Sequence, residues 1–321
     1  MCIALLSTAH PHYPFILLSN RDEFLHRPTA RAHWWEGSNS HVLGGRDLQR
    51  AEKGTWLGFT KQGRIAILTN FRDDGVEIRL DKSRGGIVNA YLTVPPDHIE
   101  GEDPEQFARR LMTEMGIHDV GGFSLLYGQL KPETGEGGNK SLGQLNILSN
   151  RTTDSSQLVK LLGTAGETQG LSNSHFGDRT WPKVVKGEQK LKQAIQRHVS
   201  DINVDDEQFI ESLFEVLSVD TLPKKPRDEP WHEFSNQLKN SIFIPAVNDE
   251  EGIQHAAAQV NGTTPQSKLV TEGVYGTQKQ TVIVVDRRGR VNYIERTLFD
   301  EQGRAVNKPE QEKRFGFSIA S

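Results

Sequence analysis

Short apolar runs that break at glycine-bearing turns constrain this chain more than any other feature of its sequence. Residues 55–60 (Thr-Trp-Leu-Gly-Phe-Thr) and 64–70 (Arg-Ile-Ala-Ile-Leu-Thr-Asn) flank Lys61-Gln62-Gly63. Both runs are rich in β-branched and aromatic residues and too short for helices, so they read as an antiparallel hairpin. Residues 280–285 and 291–297 repeat the arrangement around Asp286-Arg287-Arg288-Gly289-Arg290. There Asp286 can bond back to the turn backbone and Gly289 can supply a positive φ. At the N-terminus, runs 2–7 and 15–19 enclose His10-Pro11-His12-Tyr13-Pro14, which cannot continue a strand. Further strands are expected at 122–127, 145–149 and 242–245, and the alternation of Phe315, Phe317 and Ile319 suggests a last edge strand.

Helical periodicity is weaker and confined to four stretches. Residues 86–93 form a short one. Residues 104–115 open on Pro and space Phe107, Leu111, Met112 and Met115 on one face. Residues 182–199 carry Val184, Val185, Leu191, Ile195 and Val199, and residues 206–217 carry Phe209, Leu213, Phe214, Val216 and Leu217. Segments 131–141, 222–229 and 248–268 are polar and read as surface insertions, and a charged tail starts near Asp300. Hairpins that are apolar on both faces need cover on each side. Two antiparallel sheets face to face, each covered outside by helices, satisfy that need. The expected fold is α+β, a four-layer αββα sandwich. No repeat or shift in composition divides the 321 residues, so one domain over 1–321 is expected.

Charge and cysteine usage exclude several functions. Lys plus Arg is 38 and Asp plus Glu 42, a net charge of −4, which argues against nucleic acid as the main partner. No apolar run approaches the ~18–20 residues that cross a bilayer. The N-terminus lacks the positive segment of a secretory signal, so a cytoplasmic location is expected. The chain has one cysteine, which rules out an internal disulfide framework or a cysteine-based zinc site. The 11 histidines form no metal pattern. His10 and His12 share a loop and read as exposed turn residues ahead of a weak metal site.

The position of the single cysteine, Cys2, is the chemical clue. If Met1 is removed, the thiol gains its own α-amine as a general base, with a reference pKa of ~7.7–8.0. The bland alternative is a small apolar residue at a strand start. Asn20-Arg21-Asp22-Glu23 follows the second apolar run and would lie near Cys2 if the two runs pair. There an Asp could orient the amine, and an Arg could favour thiolate or hold a carboxylate or phosphate; a water-facing ion cluster is the commoner fate. Asn70 ends one strand, and Asn173 sits in Leu171-Ser172-Asn173-Ser174. Either amide could donate to a developing oxyanion, although each could equally cap a turn. Trp34-Trp35 cannot both face one core in an extended segment, so one could line a groove or partner surface.

Several motifs, in order, carry a family resemblance: Met1-Cys2, Asn20-Arg21-Asp22-Glu23-Phe24, Arg27-Pro28-Thr29, Gly44-Gly45-Arg46-Asp47-Leu48 and Gly54-Thr55-Trp56-Leu57-Gly58. Gly63 to Arg72, Ser83-Arg84-Gly85, Ser149-Asn150-Arg151, Gly170-Leu171-Ser172-Asn173, Trp181-Pro182-Lys183 and Tyr275-Gly276-Thr277 continue it. The chain resembles the Transport and Golgi organisation protein 2 (NRDE) family over nearly its whole length, in the form seen in fungal members. That family in turn resembles N-terminal nucleophile hydrolases. The resemblance implies Cys2 as nucleophile, Arg21 and Asp22 beside it, and Asn70 and Asn173 as oxyanion donors. It makes Asn20, Arg21, Glu23, Trp56 and Arg72 the expected ligand-binding residues. The family pattern has Arg after Tyr-Gly-Thr where this chain has Gln278; if that Arg holds an anionic ligand, this chain binds it with one cation fewer.

What the resemblance implies about function is broader. Family members are tied to Golgi organisation, secretion, mitochondrial and lipid metabolism, acyl-coenzyme A handling and haem movement. Three readings follow. The first is a carrier that binds acyl-coenzyme A or haem and hands it on, with no required cofactor and haem as cargo held by the Cys2 thiolate. The second is a cysteine hydrolase cleaving a linear amide or thioester. The third is an interaction factor with protein partners in the secretory pathway, associated with Golgi or mitochondria.

Overall fold

Fourteen strands are seen in the computed structural model, which describes residues 2–71, 83–95, 103–131, 143–161, 166–201, 203–226, 229–248, 273–300 and 304–320. In chain order they are β1 (Ile3–Ser7), β2 (Phe15–Phe24), β3 (Thr29–Trp34), β4 (Val42–Asp47), β5 (Leu57–Thr60), β6 (Arg64–Asn70), β7 (Phe123–Leu130), β8 (Gly143–Ser149), β9 (Val159–Leu161), β10 (Thr168–Leu171), β11 (Val247–Asn248), β12 (Val274–Val285), β13 (Arg290–Thr297) and β14 (Glu312–Ser318). The main helices are α1 (Arg84–Leu92), α2 (Pro104–Arg110), α3 (Pro182–Ser200) and α4 (Asp206–Leu217). One sheet runs β10-β1-β2-β12-β13-β14, with β11 on β12, and the other runs β3 to β9 in sequence order. All pairings are antiparallel.

The expected hairpins form for the expected reasons. Gly63 takes φ +83° in the β5–β6 turn, and Asp286 Oδ1 accepts from the backbone N–H groups of Arg288 and Arg290, both at 2.9 Å. Period-2 alternation then sorts the side chains into layers. Leu6, Phe15, Leu17, Leu57, Phe59, Ile65, Ile67 and Leu126 pack between the sheets. Ile3, Leu5, Ile16, Leu18 and Val282 pack outward against Leu191, Ile195, Phe209 and Leu213 of α3 and α4. Leu68, Leu125 and Tyr127 do the same against Val88, Tyr91 and Phe107 of α1 and α2. Burying each large side chain is worth roughly 1.5–3 kcal/mol. The layers are therefore αββα, as expected. Capping boxes Asp103/Gln106 and Asp205/Gln208 start α2 and α4.

Several expectations need correction. β2 does not stop at Ser19 but runs to Phe24, because β12 pairs with it along its whole length. Residues 242–245 form no strand. β3, β4, β9 and β10 have no counterpart among the expected strands; β4 (Val-Leu-Gly-Gly-Arg-Asp) and β10 (Thr-Gln-Gly-Leu) carry glycines that weaken their strand signature. Trp34 and Trp35 face opposite layers: Trp35 is buried on the helix side, and Trp34 packs edge-on to Phe317 at 5.0 Å. His10 is buried rather than an exposed turn residue. Most of 131–141 and 248–268, with Arg72, lies outside the described residues.

Candidate functional site

β1 and β2 pair so that Ile3 opposes Asn20, which sets Cys2 opposite Arg21, one step further. Alternation along β2 then sends the polar tetrad to two faces. Asn20 and Asp22 point to the helix side, and Arg21 and Glu23 point between the sheets. A cavity of 360 Å³ opens at this end of the sandwich. Cys2, Arg21, Asp22, Glu23, Trp56, Asn70 and Asn173 all line it, so seven of the nine expected site residues converge there. Asn20 does not. Its side chain is wholly buried and donates to Leu217 O and Ile242 O, each at 2.8 Å, tying β2 to the end of α4.

Cys2 is half-buried, and its thiol donates weakly to Asp22 O at 3.9 Å. Its carbonyl accepts from Ser172 Oγ at 2.6 Å, which fixes the start of β1 against the Ser172–Asn173 segment. Arg21 is 6% exposed and lies over the Trp56 ring at 4.7 Å. Burial lowers its pKa, and the charges of Glu23 and Cys2 oppose that shift. Asn173 Nδ2 donates to Asn70 O, joining the two candidate oxyanion residues across the cavity mouth.

Beneath Cys2 lies a buried ion pair. Asp22 Oδ2 is 3.8 Å from Lys183 Nζ, and both side chains are fully buried. Thr277 Oγ1 donates to Asp22 Oδ1 at 2.7 Å, and Tyr275 OH donates to Asp22 O at 3.0 Å. Burial raises the Asp22 pKa against the pull of Lys183, and burial lowers the Lys183 pKa against the pull of Asp22. α3 can come this close because Gly187 faces β1; a Cβ there would sit 2.8 Å from the Leu5 methyl carbons.

Further groups complete the wall. Arg27 pairs with Asp47 at 2.5 Å. Arg84, the first residue of α1, donates to Gly122 O at 3.2 Å. Arg27, Arg84, Lys183, Tyr275 and Thr277 sit in motifs that carry the resemblance, but residue spacing gave them no role. The available signal was the stripe Lys183-Gly187-Leu191-Ile195, a lysine heading a buried row at i, i+4, i+8 and i+12. Gln278 lies outside the lining, buried behind Arg21. Among the described residues no group of histidine, cysteine and carboxylate side chains is arranged to hold a metal, and no helix is long and apolar enough to cross a membrane.

The chain is similar to several known proteins. The family described as Transport and Golgi organisation 2 matches residues 1–300. An uncharacterised protein of Saccharomyces cerevisiae is 28% identical over 99% of this chain and its own full length. The Transport and Golgi organization protein 2 homologs of Bos taurus and Homo sapiens are 29% and 27% identical, over 89% and 90% of this chain and 87% and 88% of theirs. Among solved structures, a Caenorhabditis elegans N-acylethanolamine-hydrolyzing acid amidase ortholog superposes at TM-score 0.41 with 13% identity, covering 75% of this chain and 98% of its own.

Proposed function

The chain belongs to the Transport and Golgi organisation 2 family, and from the cavity at Cys2 we propose that it binds a small anionic acyl ligand, an acyl-coenzyme A in preference to haem, and hands it on. The observation that carries this reading is the cavity wall. Arg21, Arg27, Arg50 and Arg84 line it against the carboxylates of Glu23 and Asp47. Guanidinium forks suit phosphate and carboxylate groups. The volume matches one polar end of a ligand rather than a whole coenzyme. In this reading the protein works in the cytoplasm, and links to Golgi organisation, secretion and lipid metabolism follow from ligand supply. The test is titration of the purified chain with dodecanoyl-coenzyme A and, separately, with hemin, read by native mass spectrometry. Saturable acyl-coenzyme A binding that weakens about tenfold or more in Arg84→Ala is expected. Binding of neither ligand rejects the reading, and binding of hemin alone rejects the choice of ligand.

A second reading, a cysteine hydrolase, is favoured by the Asp22–Lys183 pair, which is too buried to touch a ligand. With Met1 removed, Asp22 would hold the α-amine of Cys2. That amine would take the thiol proton as sulfur attacks the acyl carbon and return it to the leaving amine or thiol, and water would then cleave the acyl group from Cys2 and restore the thiol, while Asn70 and Asn173 donate to the oxyanion. Cys2→Ala should then abolish turnover of a dodecanoyl thioester or amide while leaving acyl-coenzyme A bound. Turnover that survives in Cys2→Ala, or a purified chain that retains Met1 and turns over nothing, removes this reading.

A further inference from the structure

Arg21 is a buried cation whose hydrogen-bond anchor is neutral. β12 pairs Thr277 with Asp22 and Lys279 with Arg21, so Gln278 is the extra residue of a β-bulge between them. A bulge re-aims the side chain it carries. The side chain of Gln278 is 1% exposed and is hydrogen-bonded at both ends. Its Oε1 accepts from Arg21 Nη1, and from Thr29 Oγ1 at 3.3 Å. Its Nε2 donates to Leu25 O at 3.3 Å and to Arg27 O at 3.5 Å. The amide thus holds the Arg21 guanidinium against Trp56 from behind, out of contact with the cavity itself.

We propose that Gln278 is a positioning residue that fixes Arg21 in the cavity wall without discharging it, so that the full positive charge of Arg21 faces Cys2 and the anionic part of a ligand. This rests on the cavity at Cys2 being the ligand site. A carboxylate at 278 would offer the same acceptor geometry but would neutralise the guanidinium. Among the described residues the carboxylate nearest to ion-pair distance of Arg21 is that of Glu23, at 3.9 Å, the outer limit of a useful contact. The neutral anchor therefore keeps a desolvated cation available where interactions are strong.

Because Cys2 is the sole cysteine of the chain, its alkylation reports this field directly and needs no ligand. The probes are iodoacetate, which is anionic, and iodoacetamide, which is neutral; in each the thiolate displaces iodide. The wild type is expected to favour iodoacetate relative to its own urea-unfolded chain. In Q278E that preference should fall about tenfold, and the midpoint of the alkylation pH profile should rise by about one unit. Q278E keeps the acceptor of Arg21 and Thr29 but loses the Nε2 donor to Leu25 O and Arg27 O, so a purely structural role predicts a lower urea midpoint and equal changes in the rates of both reagents. An unchanged preference and pH midpoint in folded Q278E therefore overturns the proposal. If Q278E fails to fold, Q278M decides: it releases Arg21, and a preference within about twofold of wild type overturns the proposal. A shifted profile in a chain that binds no acyl-coenzyme A would leave the positioning role standing and remove the ligand reading instead.

Discussion

The two ends of the β1–β2 hairpin both bury titratable groups, and they settle the cost in opposite ways. At one end Asp22 and Lys183 sit fully buried at 3.8 Å beside the cavity. At the other, His10 is buried among rings, stacked on Phe209 at 5.0 Å and on His198 at 5.1 Å. Its Nδ1 accepts from the backbone N–H groups of His12 and Tyr13, at 3.1 and 3.0 Å. The proton must then lie on Nε2, which donates to His198 Nδ1 at 2.9 Å. Burial disfavours charge at both ends. At the Cys2 end opposite charges offset that penalty. At the histidine end a neighbouring histidine adds to it, and the His10 pKa falls to about 4 by burial and then by His198. One end keeps opposite charges beside the cavity; the other is a neutral plug.

The comparison breaks most visibly at Lys183. Lys183→Met strands the Asp22 carboxylate and should cost about 3–5 kcal/mol, read from urea unfolding at pH 7. Asp22→Asn combined with Lys183→Met should recover much of the loss, since two neutral partners leave no buried charge. A double variant no more stable than Lys183→Met would show that the pair is not coupled.

The histidine end should fail with acid. The folded-state pKa of His10 lies below its unfolded value of 6.5. The unfolded chain therefore binds more protons between pH 6.5 and 4, and stability rises with pH across that window. The contribution is full above pH 6.5. Stability on the order of 1–3 kcal/mol is lost as the pH falls to 4. His12, His198, Asp206 and Tyr13 share the site and shape the curve. His10→Gln should flatten the urea midpoint between pH 6.5 and 4.5; an unaltered slope would assign the acid loss to other groups.

The smallest effect expected lies at the start of α4, which carries Phe209. Asp205 accepts from the backbone N–H of Gln208 at 2.8 Å. Asp205→Ala should cost about 1 kcal/mol in thermal unfolding. It should leave the alkylation rate of Cys2 unchanged, since it acts on the other end of the hairpin.

Much of this molecule was legible in sequence where period and turn chemistry agree. The 61–63 and 286–290 turns, the capped helices and the αββα layering follow from local pattern. β2 shows the limit. Asn20 to Glu23 are poor strand formers, and pairing with β12 outweighs their propensity. The site was legible as a set of residue types near Cys2, although Asn20 turns to the helix side and away from the cavity. Lys183 was given no role and Gln278 was read only as a missing cation, because a buried lysine and a bulged glutamine look ordinary until the chain brings α3 and β12 to β2.

Sequence by itself determined the alternation and turns that force two antiparallel sheets, and the place of a lone thiol at the start of the first strand. Tertiary structure decided which polar groups meet that thiol. The reason is physical: alternation and turns are set over a few residues of backbone. The charge around Cys2, by contrast, depends on contacts spanning 161 positions from Asp22 to Lys183 and 257 from Arg21 to Gln278.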